Sequence, residues 1–181
     1  MHTTTTLLST LVLASSTLAA AVPAAALTPR ACAIETPTLL TRLDRSNPDL
    51  AIGSVSYAWA NPTISTEVQF SNIPAGAFGC QLEIFFPPRY VVDNSGDSRA
   101  YFYSLDREVS PSDTFNNAPA KVSLIGTADV RSDYARETRI VVNSVQCKPS
   151  LGFRMDVAEG KVGSLGFNNL DGFGFRLTHN C

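Results

Sequence analysis

The sequence predicts an all-β domain, a two-sheet antiparallel β-sandwich of jelly-roll type that is stapled by disulfide bonds. In residues 79–88, GCQLEIFFPP, apolar and polar side chains alternate with the period of two that is typical of a strand burying one face. Similar short segments recur at spacings of roughly 8 to 15 residues, separated by glycine or proline, as in sandwiches and barrels. Four cysteines in a chain with an export signal indicate disulfide bonds, because the export compartment is oxidising.

The N-terminus has the layout of a secretory signal peptide. An apolar stretch at residues 7–18 is followed by three alanines at 19–21. A membrane anchor needs about 20 apolar residues, whereas this stretch is shorter and is interrupted by serine and threonine. We therefore expect a signal peptide over 1–21, a spacer rich in alanine and proline over 22–31, and one secreted domain over 32–181. No membrane insertion is expected after cleavage.

The charge pattern excludes some classes of partner. The formal net charge is −2, and acidic and basic residues are interspersed along the whole chain, unlike the basic surface of a nucleic-acid binder. Nucleic acid is therefore not an expected partner. The cysteines contain no C-x-x-C pair, and His179 is the only histidine after the signal peptide, so we expect no metal and no cofactor.

Alternating side chains place the strands in order along the chain. Tyr57 and Trp59 share one side of the first clear strand, which Asn61-Pro62 ends. Pro87-Pro88 closes the strand at 79–88, because proline has no N–H for a ladder. The predicted strands cover 54–60, 64–70, 79–88, 90–92, 100–105, 121–130 and 138–147, followed by glycine-rich strands in the last third.

Turns and loops are predicted between these strands. Residues 93–97, DNSGD, have the composition of a turn, and residues 110–119 form the longest polar loop. Glu159-Gly160 and Asp171-Gly172 are typical of hairpin turns. Residues 36–44 carry leucines at helical spacing, but the segment is short and Pro37 lies at its start, so the whole domain is predicted to be β.

The four cysteines allow three pairings, and their spacing alone does not select one. Cys80 and Cys147 each border a strongly apolar alternating segment, so we favour a bond between them. That pairing leaves Cys32 with Cys181 and would tie the two ends of the domain together.

Several short motifs occur in a fixed order and carry a family resemblance. They are SNPD at 46–49, PTIST at 62–66, CQLEIFFP at 80–87, TFNNAP at 114–119 and GFRL at 174–177. Over residues 36–181 this order resembles the fungal But-two C-terminal domain family, named for a binder of a ubiquitin-like-protein activating enzyme. The resemblance implies an all-β secreted or cell-surface fungal domain of mostly uncharacterised function, without an established catalytic motif. The signal peptide argues against the intracellular partner that the family's name suggests.

Four aromatic residues are the candidate binding residues. Tyr57, Trp59, Tyr101 and Tyr103 fit a platform on which sugar rings stack, since a tyrosine suits a surface with one apolar and one wet side. Packing in the core is the favoured role for most of these side chains.

Two carboxylates and a histidine are the candidates for catalysis. Glu67 and Glu83 are the best pair for glycoside cleavage, and we expect them on the outward faces of neighbouring strands. The favoured interpretation is that both charges only solvate an outward face of the sheet. His179 is the obvious general acid or base, but its position beside Asn180-Cys181 indicates a surface residue.

A calcium loop is the remaining metal-site hypothesis. Asp93, Ser95 and Asp97 alternate like the start of such a loop, but Ser98 and Ser104 occupy the positions where an EF-hand needs glycine and glutamate. A polar turn is therefore the favoured interpretation.

Taken together, these features predict a secreted, non-catalytic protein of the extracellular space or cell wall that acts by surface binding. Its expected partner is a cell-wall polysaccharide or an extracellular protein. The alternatives are a carbohydrate-active enzyme or carbohydrate-binding module on a β-sandwich, and a secreted effector that binds a host protein.

Overall fold

The computed structural model describes residues 31–97, 99–157 and 162–181, and within these ranges the chain forms twelve strands and no helix. No described segment is a helix long and apolar enough to cross a membrane. The predicted signal peptide, most of the spacer and the hairpin turn at Glu159-Gly160 lie outside the described residues. The strands are β1 (Ala33–Glu35), β2 (Leu39–Asp44), β3 (Tyr57–Ala60), β4 (Ile64–Ser71), β5 (Gln81–Phe86), β6 (Asp93–Ser95), β7 (Arg99–Leu105), β8 (Lys121–Asp129), β9 (Thr138–Ser144), β10 (Ser150–Val157), β11 (Ser164–Asn168) and β12 (Gly174–His179).

These strands form three antiparallel sheets in the described part of the chain. The four-stranded sheet has the order β1-β12-β5-β9, the five-stranded sheet β2-β4-β10-β7-β8 and the three-stranded sheet β3-β11-β6. The all-β, sandwich-like prediction is confirmed. A third sheet arises because β11 pairs with β3 on one side and β6 on the other, and joins neither of the larger sheets.

One apolar core joins the inner faces of the three sheets. Alternate residues of β5, including Ile84 and Phe86, are fully buried, as the alternation predicts. Phe86 packs against Phe167 of β11, and Phe167 packs against Phe175 of β12. Phe175 also meets Phe102 of β7, so aromatic contacts connect all three sheets. Edge-to-face contacts of this kind each contribute about 0.5–1.5 kcal/mol beyond the burial of area.

Most of the predicted strands are confirmed, but two local predictions are wrong. Residues 90–92 are not a strand, and the predicted turn at 93–97 instead contains β6, because backbone pairing with β11 overrides the turn composition. The segment with helical leucine spacing contains β2. Its Leu40 and Leu43 are both buried although they lie on opposite faces, which shows that β2 is covered on both sides.

A tight turn is present at Asp171-Gly172. Leu170 and Phe173 exchange two backbone hydrogen bonds of 3.1 Å, and Gly172 adopts a φ of 89°, which favours glycine. The strands on either side of the turn, β11 and β12, belong to different sheets. The turn therefore moves the chain from one layer to another.

A long loop covers the outer face of β4 and β10 in the five-stranded sheet. We call residues 106–120, which include the predicted polar loop, the strap. The Val109 N–H donates to Gln69 Oε1 of β4 at 2.9 Å, and Arg154 Nη2 of β10 donates to the Pro119 carbonyl at 2.8 Å. Because the strap lies over this face, Gln69 and its neighbour Glu67 are buried.

The structure contains the two disulfides that the sequence favoured. Cys80 is bonded to Cys147, and Cys32 is bonded to Cys181. The first bond connects the start of β5 with the segment between β9 and β10, and the second joins the two ends of the domain.

Candidate functional site

The candidate binding surface lies on the outer face of the three-stranded sheet. Ala58 and Ala60 of β3 face the core and are fully buried, so Tyr57 and Trp59 point to the other side, where both are partly exposed. The centroids of their rings are 6.1 Å apart, and the ring planes differ by 25°. The sequence-predicted aromatic pair is therefore a nearly parallel surface that solvent can reach.

Gly166 of β11 makes room for both rings. A Cβ atom at this position would lie 2.3 Å from Trp59 Cε3 and 2.3 Å from the Tyr57 hydroxyl oxygen, closer than real Cβ contacts. Gly166 pairs with Trp59 on one side and with Asp93 of β6 on the other. The rings thus extend sideways across the middle strand of the sheet and form a flat platform.

Asp93 closes one end of this platform. The Tyr57 hydroxyl donates a hydrogen bond of 2.6 Å to Asp93 Oδ2 across the strand that carries Gly166. Burial raises the pKa of Tyr57 above its usual range, and the hydrogen bond to Asp93 and its negative charge act in the same direction. The phenol therefore stays protonated and holds its ring in place.

Thr66 fixes the platform from the neighbouring sheet. Thr66 Oγ1 of β4 accepts a hydrogen bond from the Trp59 N–H and donates one to the Trp59 carbonyl, both at 2.8 Å. The charge of Arg42 on β2 acts on Tyr57 in the opposite direction to burial and lowers its pKa, and the buried Arg42 Nε has no hydrogen-bond partner among the described residues. The platform thus joins an aromatic surface with the Asp93 carboxylate.

The other two predicted aromatic residues belong to a different surface. Tyr101 and Tyr103 lie on β7 in the five-stranded sheet, with ring centroids 6.5 Å apart and planes at 68°. Lys121 Nζ sits 4.2 Å from the centroid of the Tyr103 ring and forms an ion pair of 3.0 Å with Asp156. The rings of Tyr101 and Tyr103 are steeply angled to each other, and Lys121 partly covers them. They therefore do not extend the Tyr57–Trp59 platform.

The candidate carboxylates Glu67 and Glu83 are not brought together, because they lie in different sheets. Their expected place on a solvated sheet face is wrong, because both are fully buried. Glu67 Oε1 accepts hydrogen bonds from Arg154 Nη2 at 2.7 Å and Nε at 3.1 Å, while Glu67 Oε2 is buried without a hydrogen-bond partner in the described part of the chain. Burial raises the pKa of Glu67 to about 7, although the charge of Arg154 opposes this. Alternation within a strand did not reveal that the strap covers this face.

Glu83 is the centre of a well-satisfied network on the four-stranded sheet. Arg139, Arg176 and Thr178 all donate to its carboxylate. Burial alone raises the pKa of Glu83, but the hydrogen bonds from these three residues outweigh it, and the net pKa is lowered. This carboxylate is a structural anion, since each of its oxygens already has strong donors.

His179 is not the surface residue that its position suggested. Its side chain is only 1% exposed, and Nε2 lies 3.0 Å from Glu35 Oε1 across the β1–β12 pair. The other ring nitrogen, Nδ1, is buried without a partner among the described residues. His179 therefore packs against the first strand and has no access to a substrate.

The acidic residues of the suspected calcium loop have other roles. Asp93 accepts the Tyr57 hydroxyl, and Asp97 Oδ1 accepts the Arg99 N–H at 3.0 Å. Among the described residues, no group of three or more His, Cys, Asp or Glu side chains has a geometry that could hold a metal ion.

Sequence reasoning found the two rings but missed the residues that make them a platform. Gly166 stands in the middle of the strand segment SLGFN, where glycine often marks a close approach of another group. The glycine could therefore have been noticed in the sequence, whereas the pairing of β11 with both β3 and β6 could not.

A disulfide-bonded β-domain with an exposed aromatic surface has the features of a binding domain. The chain belongs to the family described as Ubiquitin 3 binding protein But2 C-terminal domain, which matches residues 35–169. This confirms the resemblance found in the sequence motifs, and the family description is that of a binding protein. No curated protein matches the sequence closely enough to indicate a relative.

Proposed function

We propose that this protein is a secreted, non-catalytic binding protein of the extracellular space or cell wall, and that the Tyr57–Trp59 platform holds a polysaccharide. The observation that carries this proposal is the pair of nearly parallel rings lying across Gly166. Sugar rings have apolar faces that stack on aromatic side chains, while their hydroxyls need polar partners at the edge of the surface. Asp93 supplies a carboxylate there.

Three observations support this proposal over the alternatives. The N-terminal apolar segment has the pattern of an export signal, which fits a ligand outside the cell. The two disulfides suit an oxidising environment. The carboxylates nominated for glycoside cleavage are buried in separate arginine-bonded networks, which removes the specific argument for a hydrolase.

Trp59 offers a direct assay because it is the only tryptophan in the chain. Soluble oligosaccharides of chitin, β-glucan and cellulose are titrated against the protein while tryptophan emission is recorded. Stacking of a sugar on Trp59 is expected to change its emission in a saturable way. The same polysaccharides in insoluble form are tested for retention of the protein and for release of reducing ends.

Variants separate the platform from the rest of the surface. Tyr57→Ala is expected to weaken binding by about tenfold because it removes a stacking ring. Tyr57→Phe keeps the ring and should retain most of the affinity, and Tyr101→Ala is the control on the other tyrosine pair. Melting temperatures of all variants verify that they are folded.

Each outcome has a definite meaning. Retention without reducing ends, weakened by Tyr57→Ala and not by Tyr101→Ala, supports the proposal. Release of reducing ends contradicts the non-catalytic part and favours the carbohydrate-active enzyme. Absence of both retention and emission change contradicts the polysaccharide and favours an extracellular protein as partner.

A further inference from the structure

A concave surface is present apart from the flat aromatic platform. It is a cleft of about 740 Å³ between β7, β8 and β10 on one side and the segment that follows β9 on the other. Val145, Leu151 and Phe153 contribute apolar side chains to it, and Phe153 is almost completely buried. The volume is within the range of roughly 300–1,000 Å³ that is common for ligand sites.

Two bulges in β8 direct side chains into this cleft. In the β7–β8 pairing, the register shifts between Phe102 and Tyr103 and again between Ser104 and Leu105. These shifts leave Val122 and Ile125 without a partner residue on β7, and these are the two residues of β8 that line the cleft. Bulges commonly re-aim side chains next to functional sites. The cleft is therefore built into the strand and is not a gap left by loose packing.

The same strand offers unpaired backbone along the cleft. β8 is the last strand of the five-stranded sheet, so one side of it has no strand partner in the described part of the chain. β9 approaches this edge at Gly126, where a Cβ would lie 2.6 Å from the Val142 carbonyl oxygen, and Asn143 Nδ2 donates to the Ile125 carbonyl. Residues 121–124 are exposed and have no strand partner on this side in the described part of the chain. An open edge of this kind accepts an added strand.

The charges at the mouth of the cleft have both signs. Glu108 and Lys148 are exposed on its lining, and neither has an ion-pair partner among the described residues. Arg107, which also lines it, is held by Asp113 and by the carbonyl of Asn117. The two uncommitted charges suit a ligand that carries both signs, and this disfavours a simple anionic or purely apolar molecule.

We propose that this cleft binds an extended polypeptide segment of a partner, which adds to the free edge of β8 and places alternate apolar side chains against Val122, Ile125 and Leu151. The main chain of such a segment would supply the ladder hydrogen bonds, and its charged side chains would meet Glu108 and Lys148. This site is separate from the aromatic platform and does not depend on a bound polysaccharide.

The test uses two short synthetic peptides and isotope-labelled protein with both disulfides formed. The first peptide alternates valine with lysine and glutamate, with both ends blocked. The second has the same side chains, but every backbone nitrogen is methylated, so that neither of its edges can donate ladder hydrogen bonds. Amide chemical shifts of the protein are followed by NMR as each peptide is added.

The first peptide should shift amides at 121–124, 145–148 and 150–151, and the methylated peptide should bind about tenfold or more weakly because it lacks the ladder. Val122→Asp should abolish the shifts, since it places a charge among the apolar groups of the cleft. Val91→Asp is the matched control, because Val91 is 66% exposed, Val122 is 64% exposed, and Val91 is not part of the cleft.

Three results would overturn this inference. Equal affinity for the two peptides would show that no ladder forms, shifts outside the cleft would place the site elsewhere, and absence of binding at millimolar peptide would remove it. None of these results bears on the polysaccharide platform, because Trp59 emission reports on that surface independently.

Discussion

Replacing Glu67 with glutamine should flatten the pH dependence of stability between pH 4.5 and 7. In the folded protein the pKa of Glu67 is about 7, against an ordinary value of 4.5, because burial disfavours the charged carboxylate. Between these two values the folded state keeps a proton that the unfolded state has released. The free energy of unfolding therefore falls as the pH rises through this window.

The size of the effect follows from the same two values. Each pKa unit corresponds to about 1.4 kcal/mol, so the contribution of Glu67 is about 3 kcal/mol, present in full below pH 4.5 and lost above pH 7. Glutamine resembles the protonated acid and cannot ionise. At pH 8 the Glu67→Gln protein should therefore be more stable than the wild type by about this amount, and at pH 4.5 the two should be similar.

Urea denaturation at several values from pH 4.5 to pH 8 measures both proteins. The quantity of interest is the difference between their unfolding free energies, since other carboxylates contribute equally to both. Asp129→Asn is the control, because Asp129 pairs with Arg99 at an exposed site and its loss should leave the slope unchanged. Parallel profiles for wild type and Glu67→Gln would refute the reasoning. If the stability of the wild type instead increased relative to that of the variant as the pH rises, the ion pair with Arg154 would outweigh the effect of burial.

Two further predictions concern the disulfide and the platform. Replacing both Cys80 and Cys147 with serine should lower the free energy of unfolding by about 4 kcal/mol, because their bond closes a sequence separation of 67 residues. An unchanged midpoint of urea denaturation would contradict this prediction. Gly166→Ala should displace both rings of the platform, which lowers the free energy of unfolding by about 1–3 kcal/mol and changes the fluorescence emission of Trp59. If the variant kept the emission and the urea midpoint of the wild type, the rings would not lie across this residue.

The strands were predictable because each carries its own pattern. Alternation along β5 identifies both the strand and its buried face, and the prolines at 87–88 mark its end. The paired cysteines could also be favoured, since Cys80 and Cys147 each border such a segment. These features depend on residues that are close in sequence.

The faces of the sheets were harder to predict, because alternation describes one layer at a time. It placed Glu67 and Glu83 on outward faces, which is correct for the strand, but it does not show what covers those faces. The strap lies over Glu67, and arginines from distant strands surround Glu83. The residues of β6 have the composition of a turn, and they form a strand only because they pair with β11. Composition did not reveal this pairing.

One part of the aromatic platform could be predicted from the sequence, and another part could not. Tyr57 and Trp59 are two residues apart, so their common face follows from the sequence. Their flat arrangement depends on Gly166 and Asp93, which come from strands far along the chain. A local pattern can therefore nominate the rings, while their orientation is a property of the assembled sheet.

The bond between Cys32 and Cys181 also has a mechanical consequence. It closes a covalent ring with a sequence separation of 149 residues, which contains all twelve described strands and the second disulfide. A pulling force applied between the two ends of the domain passes through this single sulfur–sulfur bond, and the hydrogen-bonded ladders carry none of it. A protein fixed to a surface through either end would thus keep its sheets unloaded under tension, until a reducing agent opened the ring.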